Sequence, residues 1–216
     1  MANLNDIIQW CDQTLAAREF KDYAPNGLQI EGKSEVNKIL CAVTASQSAI
    51  EAAIEQGADL LLVHHGYFWK GEAYPITGMR GKRIKTLIQN DISLVGYHLP
   101  LDSHPTLGNN AAIADLLELE NIEQLDPSEK RPIGNIGYLK QPMSPEDFKN
   151  YVSEKLGFDA IHLPAEKTQI HKVGFCTGGA QDYIQKAALQ NCDAYISGEV
   201  SERTFYEAQE LNVHYY

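Results

Sequence analysis

An internal repeat constrains the fold of this chain more than any other feature of its sequence. A constant offset of 134 residues relates two segments without a gap, and the identical pairs include Lys38 and Lys172, Gln47 and Gln181, Ile50 and Ile184, Ala53 and Ala187, Gln56 and Gln190, and Asp59 and Asp193. Chance is a poor explanation for a register kept over this length. The repeat therefore indicates two related halves, each built from the same supersecondary unit.

The repeated unit has the pattern of a β-α-β motif. Apolar runs at 39–43 and 60–63 flank an amphipathic segment at 47–56, a pattern typical of parallel strands buried on both faces and joined by a helix. Thr44 followed three residues later by Gln47 resembles a capping box at the start of that helix. The second copy predicts a strand, a helix and a strand at 172–177, 180–190 and 194–197.

These patterns predict an α/β fold of two related domains with mostly parallel, buried sheets. The stretch from Glu120 to Gly137 is rich in charge, proline and glycine, so we place the boundary there and expect domains at 1–127 and 128–216. Ser144 followed by Pro145 predicts a helix start in the second domain. A strand from Val213 ends the chain without the loop that follows its counterpart, so the second copy has the pattern of a truncated unit.

Composition narrows the class of protein. The chain has 216 residues, 44% of them apolar and 22% charged, as in an ordinary globular protein. Its net charge of -11 argues against a general nucleic-acid-binding surface, since such surfaces are basic.

The absence of a signal-peptide pattern and of a long apolar stretch predicts a cytoplasmic protein without a membrane span. The cysteines lack Cys-x-x-Cys spacing and are expected to be reduced core residues: Cys11, Cys41, Cys176 and Cys192.

The strongest candidate for chemistry is the adjacent pair His64 and His65, which follows the apolar run 60–63. Ligands of open α/β sheets bind at the carboxyl ends of strands, and neutral imidazole is a common ligand of zinc, iron, manganese and copper. Adjacent strand residues point to opposite faces, so both rings serve one site only if the backbone turns, which Gly66 would allow. The alternative is a hydrogen-bonded pair of surface histidines.

Asp102 is the expected third metal ligand, because it also follows a predicted strand and would complete a mixed nitrogen and oxygen set. His98 fits a ligand, a residue that orients a ligand, or a substrate contact, whereas His104 fits an exposed loop residue. Asn109 and Asn110 precede a helix, where N-capping explains at least one of them.

Glu199 is the counterpart of His65 at the 134-residue offset. It is therefore a candidate for proton transfer, with a solvated loop carboxylate as the alternative.

Two segments could attract an anion. Cys176 to Gly179 offers backbone amides before a helix, but the segment is too short for a P-loop. A basic stretch after the histidine pair would attract a phosphate-bearing ligand or simply form a solvated face; it contains Lys70, Arg80, Lys82, Arg83 and Lys85.

Several motifs, taken in order, resemble the YbgI-like branch of the GTP cyclohydrolase I type 2 family, also called the Nif-three-like family. The motifs cover most of the chain and lie at Asp22–Gln29, Val43–Gln47, His64–Gly71, His98–Asp102, Leu107–Asn110, Cys176–Gly179 and Ser197–Glu202. The resemblance implies two interlocked α/β domains, a centre of two divalent metal ions per subunit and a toroidal homohexamer. It assigns His64, His65 and Asp102 as metal ligands.

The family continues beyond the strand at 213–216 into a Gly-His-His-Ala-Thr-Glu segment that supplies further ligands. The given sequence stops before that segment, so we expect it to bind metal more weakly than a chain that carries it.

The resemblance implies a metal-dependent hydrolase that acts on a nucleotide or a related small molecule through a metal-bound hydroxide, with His98 and Glu199 as its proton-transfer residues. Relatives are also linked to damaged-nucleotide handling and DNA repair. No Walker motif is present, so GTP as substrate rests on the family name alone. The alternative function is a non-catalytic ring that binds, delivers or senses a metal.

Overall fold

The computed structural model describes residues 1–216, which form two compact units, Met1–Leu101 and Asp102–Tyr216. This division lies before the boundary expected at 127 and 128, because the stretch interpreted as a linker contains strands of the second unit's sheet. A short helix, α4 (Leu99–Ser103), crosses the division. No helix has both the length and the apolar character needed to cross a membrane.

The first unit is a four-stranded sheet with helices on both faces. Its elements are β1 (Ala2–Asn3), α1 (Leu4–Thr14), β2 (Gly27–Ile30), β3 (Glu35–Val36), β4 (Ile39–Thr44), α2 (Gln47–Glu55), β5 (Leu60–His65), α3 (Gly78–Gln89) and β6 (Ser93–Gly96). The sheet order is β2-β6-β5-β4; β4, β5 and β6 are parallel, and β2 is antiparallel to β6. Strands β1 and β3 form a separate antiparallel pair.

Alternation along β5 explains why helices cover both faces of this sheet. Leu61 belongs to the core formed with Ile50 of α2 and Leu87 of α3, whereas Leu60 packs in a second core with Leu4 of α1. Neighbouring strand residues point to opposite faces, so a continuous apolar run serves both cores.

The edge strand β4 departs from the predicted burial on both faces. Ile39, Cys41 and Val43 are exposed, although the strand is apolar. Cys41 is therefore not a core residue, while Cys11, Cys176 and Cys192 are buried, and all four thiols are free. The apolar run predicts a strand correctly but does not distinguish an edge from a central position.

The second unit is a five-stranded sheet, also with helices on both faces. Its elements are α5 (Asn109–Leu116), β7 (Glu120–Gln124), β8 (Asn135–Met143), α6 (Pro145–Leu156), β9 (Ile170–Cys176), α7 (Ile184–Leu189), β10 (Ala194–Ser197), α8 (Glu202–Glu210) and β11 (His214–Tyr215). The order is β11-β10-β9-β8-β7, in which β9, β10 and β11 are parallel and the β7–β8 and β8–β9 pairings are antiparallel. The α/β class is confirmed, and both sheets are mixed: three of four strands are parallel in the first, but antiparallel pairings are as many as parallel ones in the second.

The repeat extends to individual hydrogen bonds. The Asp59 carboxylate accepts the backbone amides of Asn37 at 2.9 Å and Lys38 at 3.4 Å, and the Lys33 ammonium at 2.9 Å. The counterparts make the same set: Asp193 accepts the amides of His171 at 3.1 Å and Lys172 at 2.9 Å, and the Lys167 ammonium at 3.1 Å. Both copies thus use one buried or half-buried aspartate to join the strand starts.

The two helix starts predicted from the sequence have different outcomes. Ser144 caps α6 by accepting the Asp147 amide at 3.1 Å, with Pro145 at the first helical position, as predicted. Helix α2 is instead capped by Ser46, whose hydroxyl accepts the Ala49 amide at 3.1 Å. Thr44 still belongs to β4, so the predicted capping box is wrong.

Candidate metal centre

Three imidazoles converge at the carboxyl end of the first sheet. His64 and His65 are the last residues of β5, and His98 lies two residues beyond β6, the parallel neighbour of β5. One ring nitrogen from each of the three lies within 4.8 Å of the others. The ring centroids are 4.4 Å apart for His64 and His65, 5.1 Å for His64 and His98, and 5.6 Å for His65 and His98.

The loop after the histidine pair is held by Gln29. Its Oε1 atom accepts the Tyr67 amide at 2.7 Å, and its Nε2 atom donates to the Pro25 carbonyl at 2.8 Å. A Cβ atom at Gly66 would lie 2.1 Å from Gln29 Oε1, and one at Gly96 would lie 3.0 Å from Nε2. Gly66 therefore provides room for Gln29.

Phe68, three residues after the histidine pair, has a left-handed backbone with φ of 66°. A bulky residue rarely adopts this conformation. This strained position lies two residues after Gly66, where the chain has left the sheet.

Backbone and side-chain contacts orient the paired imidazoles. His64 Nδ1 lies 2.9 Å from the carbonyl oxygen of Tyr97. A carbonyl only accepts, so Nδ1 carries the proton and Nε2 carries the lone pair that a metal needs. His65 Nδ1 lies 3.4 Å from the Thr44 hydroxyl at the end of β4.

His98 is paired with a carboxylate that is almost inaccessible to solvent. Asp22 Oδ1 lies 2.7 Å from His98 Nδ1, and the Asp22 side chain is 3% exposed. Burial alone would raise the pKa of Asp22, but hydrogen bonds from His98, the Asn26 amide and the Leu99 backbone outweigh it and lower the pKa below the usual 3.8. Asp22 is therefore ionised at neutral pH.

Trp69 forms an aromatic wall beside the imidazoles. Its ring meets His98 edge-on at 4.9 Å between centroids and lies 5.8 Å from His65. The indole N–H donates to the Gly66 carbonyl at 3.1 Å, which fixes the ring against the turn. An apolar wall of this kind limits access of water to the imidazoles.

This donor set fits a divalent transition metal. Three imidazoles with converging nitrogens suit zinc, iron, manganese or copper. Partners on the other ring nitrogen, such as the Tyr97 carbonyl and the Asp22 carboxylate, are those that accompany metal-binding histidines.

Asp102 lies in α4, at the start of the second unit, and is buried. Its Oδ1 atom accepts hydrogen bonds from Asn109 Nδ2 at 2.7 Å and from Thr177 Oγ1 at 3.3 Å. Asn110 is buried too, donates to the Asp102 carbonyl at 3.2 Å and accepts the Thr177 amide at 2.9 Å. Gly108 is the N-cap of α5, so N-capping explains neither asparagine. The role of Asp102 as a metal ligand stays a prediction.

Glu199 lies in the second unit, two residues beyond β10, and is exposed. Its backbone carbonyl accepts the Tyr215 hydroxyl, and its carboxylate lies against Gly179. The role of Glu199 in proton transfer stays a prediction.

In the basic stretch, Arg80 is bound to Glu72 at 2.7 Å and to the Ala73 and Pro75 carbonyls, so it stabilises the loop before its own helix.

Sequence reasoning did not single out Asp22, Asn26, Gln29 or Trp69 as individual site residues. Three of them lie in the Asp22–Gln29 motif, which suggested a role only through the family resemblance. Nothing in that segment alone shows that it lies against strand ends far along the chain.

Residues 2–216 match the family described as Duf34/NIF3 (NGG1p interacting factor 3). The chain belongs to the Duf34/NIF3 family. A "GTP cyclohydrolase 1 type 2 homolog" of Haemophilus influenzae is 50% identical over all of this chain and 86% of its own length. A protein of the same description from Vibrio cholerae is 49% identical over 95% of this chain and 82% of its own length. The resemblance found in the sequence is thereby confirmed.

Two solved structures share the fold of this chain. The structure of protein ybgI is 41% identical, with a TM-score of 0.94 over 100% of this chain and 85% of its own. A Bacillus cereus protein related to NIF3 is only 18% identical but has a TM-score of 0.89 over 100% of this chain and 87% of its own. The mixed α/β architecture is thus common to both.

Proposed function

We propose that this Duf34/NIF3 protein is a divalent-metal-dependent hydrolase that acts on a nucleotide or a related small molecule. The observation that carries the proposal is the convergence of three imidazole nitrogens within 4.8 Å at the carboxyl end of a sheet. When bound, a divalent ion lowers the pKa of a coordinated water toward neutrality and so supplies a nucleophile.

In this proposal His64 and His65 hold the metal, with Asp102 as an oxygen ligand. His98 and Glu199 move protons between the nucleophile, the substrate and solvent. The Tyr97 carbonyl keeps the proton on His64 Nδ1, so that Nε2 is available as a ligand atom. Trp69 limits water on one side of the imidazoles.

The names of the relatives, "GTP cyclohydrolase 1 type 2 homolog", support a purine nucleotide as the substrate class. Lys70, Lys82 and Lys85 are exposed in the first unit and would attract its phosphates. Two metal ions per subunit and a toroidal homohexamer of interlocked domains complete the proposal, on the strength of the family resemblance.

A second candidate is a metal-binding or metal-delivery ring without catalysis. The observation that favours it is that His98 lies as close to the histidine pair as a third ligand would. A set of three imidazole ligands leaves no histidine of the cluster as a base.

Elemental analysis of the purified protein and of His64→Ala tests the metal site. Stoichiometric divalent metal is expected in the unsubstituted protein, with a loss of at least half in His64→Ala, because the remaining ligands hold a metal weakly. His171→Ala, which changes an exposed histidine of the second unit, is the matched control and should retain full metal content. No stoichiometric metal in the unsubstituted protein would refute the proposal.

Nucleotide hydrolysis by the metal-loaded protein separates the two candidates. GTP and other nucleoside phosphates should be consumed by the unsubstituted protein, and His98→Gln should lose most of that activity while keeping its metal. If the loaded protein hydrolyses none of them, the metal-binding ring is the better description.

A further inference from the structure

The carboxylate of Asp22 is surrounded by hydrogen-bond partners. Its Oδ1 atom lies 2.7 Å from His98 Nδ1 and accepts the Tyr23 amide at 2.6 Å. Its Oδ2 atom accepts the Leu99 amide and Asn26 Nδ2, each at 2.9 Å. A carboxylate offers about four lone-pair sites; three of them accept N–H donors here, and the fourth faces His98 Nδ1.

The same segment also holds the backbone of His98. Asn26 Oδ1 accepts the His98 amide at 2.8 Å, while Asn26 Nδ2 donates to Asp22. Asp22 and Asn26 therefore bind the imidazole, the amide of His98 and the amide of Leu99 together. A shift or rotation of the His98 ring would break one of these bonds.

We infer that Asp22 is a positioning residue that fixes His98 as the tautomer protonated on Nδ1. With both carboxylate oxygens already accepting N–H donors, Asp22 acts as an acceptor throughout, so the proton of the His98–Asp22 bond belongs to the imidazole. The lone pair of neutral His98 is then on Nε2, the nitrogen away from Asp22. The inference depends on the proposed function only for the use made of that lone pair, as a metal ligand or as a base.

Asp22→Asn should reverse the tautomer. An asparagine has one accepting oxygen and one donating nitrogen, so it conflicts with donors in either orientation. In one orientation the new amide nitrogen takes the place of Asp22 Oδ2 and faces two donors, the Leu99 amide and Asn26 Nδ2. With its nitrogen toward His98 it conflicts only with the Tyr23 amide, which is at the exposed surface, because a neutral imidazole can move its proton to Nε2. The second orientation has fewer conflicts, so His98 Nδ1 becomes an acceptor.

The test is the nitrogen-15 spectrum of histidine side chains in metal-free protein, at a pH where the imidazoles are neutral. His98→Gln assigns the His98 signals by difference. We expect the protonated nitrogen of His98 to be Nδ1 in the unsubstituted protein and Nε2 in Asp22→Asn. Asp12→Asn is the matched control: it makes the same charge change at a carboxylate that accepts the Tyr97 hydroxyl at 2.8 Å, and it should leave the His98 tautomer unchanged.

Three results would overturn the inference: protonation of Nε2 in the unsubstituted protein, an Nδ1 proton retained in Asp22→Asn, or an equal switch in Asp12→Asn. The first needs no Asp22 variant, only the His98→Gln assignment, so it decides the matter even if Asp22→Asn does not fold. All three measurements use metal-free protein. A protein that proves to bind no metal would therefore refute the proposed function while leaving this inference standing or falling by its own data.

Discussion

At the scale of single residues, Asp59 shows how a carboxylate becomes structural. It is 7% exposed, and its partners are two backbone amides and an ammonium. The hydrogen bond from the Asn37 amide and that from Lys33 lower the pKa of Asp59 below 3.8, against the opposing effect of burial. A lowered pKa in the folded state means that the ionised carboxylate stabilises the fold, and that protonation removes this contribution.

Asp59→Asn should lower the free energy of unfolding at pH 7 by about 1–3 kcal/mol, because the new amide nitrogen faces hydrogen-bond donors. The difference from the unsubstituted protein should be largest above pH 3.8 and should shrink as the pH falls through the lowered pKa of Asp59. Denaturant unfolding at a series of pH values measures it. Asp115→Asn, at an exposed aspartate, is the control, and a difference that stays constant with pH would contradict the argument.

The histidine pair and Asp22 differ in how far sequence could reveal them. His64 and His65 end a recognisable apolar strand, so their position at a sheet edge follows from local pattern alone. Asp22 is 76 residues from His98 and lies in no element with a periodic pattern. Its role depends on a tertiary contact, which no local signal contains.

At the scale of elements, α6 is specified by its own sequence. Ser144 and Pro145 begin it, Phe148 and Val152 are its buried face, and Gly157 ends it with a left-handed φ of 77°. Ser144 and Pro145 predict the start of this helix, and the structure confirms it. Gly157 follows the usual chemistry of a helix C-terminus, where a left-handed residue is most often glycine.

Ser144→Ala should destabilise the protein by about 0.5–2 kcal/mol, because the first turn of α6 loses the acceptor for the Asp147 amide. Thermal or denaturant unfolding measures the effect. Ser34→Ala, at an exposed serine outside any helix, should change stability by less than about 0.5 kcal/mol. Equal effects in the two variants would show that the cap contributes nothing.

Strands β7 and β8 show where sequence patterns fail for an element. Every residue of β7 is exposed, so it has no apolar alternation and resembles a charged linker. Its identity as a strand comes from antiparallel pairing with β8, where Glu120 lies opposite Tyr138. The mixed sheet could not be predicted because its antiparallel edge is polar.

At the scale of the whole molecule, the two units repeat one design with different edges. Each has three parallel strands beside antiparallel ones and helices on both faces. The 134-residue offset predicted the shared parallel core, including the paired aspartates. It could not predict the edges, because β2, β7 and β8 lie outside the matching segment.

The net charge of -11 predicts weak binding to nucleic acid by the molecule as a whole. Duplex DNA should not be retained by the protein in a filter-binding assay at about 50 mM salt, because few phosphates can be neutralised by so acidic a surface. The matched control is a basic DNA-binding protein under the same conditions. Retention that weakens steeply with added salt would show a local basic surface strong enough to overcome the net charge.

The contact of Gln29 with two glycines couples positions that lie far apart in the chain. Because Gln29 fills the space beside both Gly66 and Gly96, a side chain at either glycine requires the end of the Gln29 side chain to move away from the hydrogen bonds that it makes with Tyr67 and Pro25. For protein engineering, the effect of a substitution at position 66 or 96 depends on the residue at position 29. A library that varies the three positions together would therefore sample combinations that single substitutions at Gly66 or Gly96 disfavour.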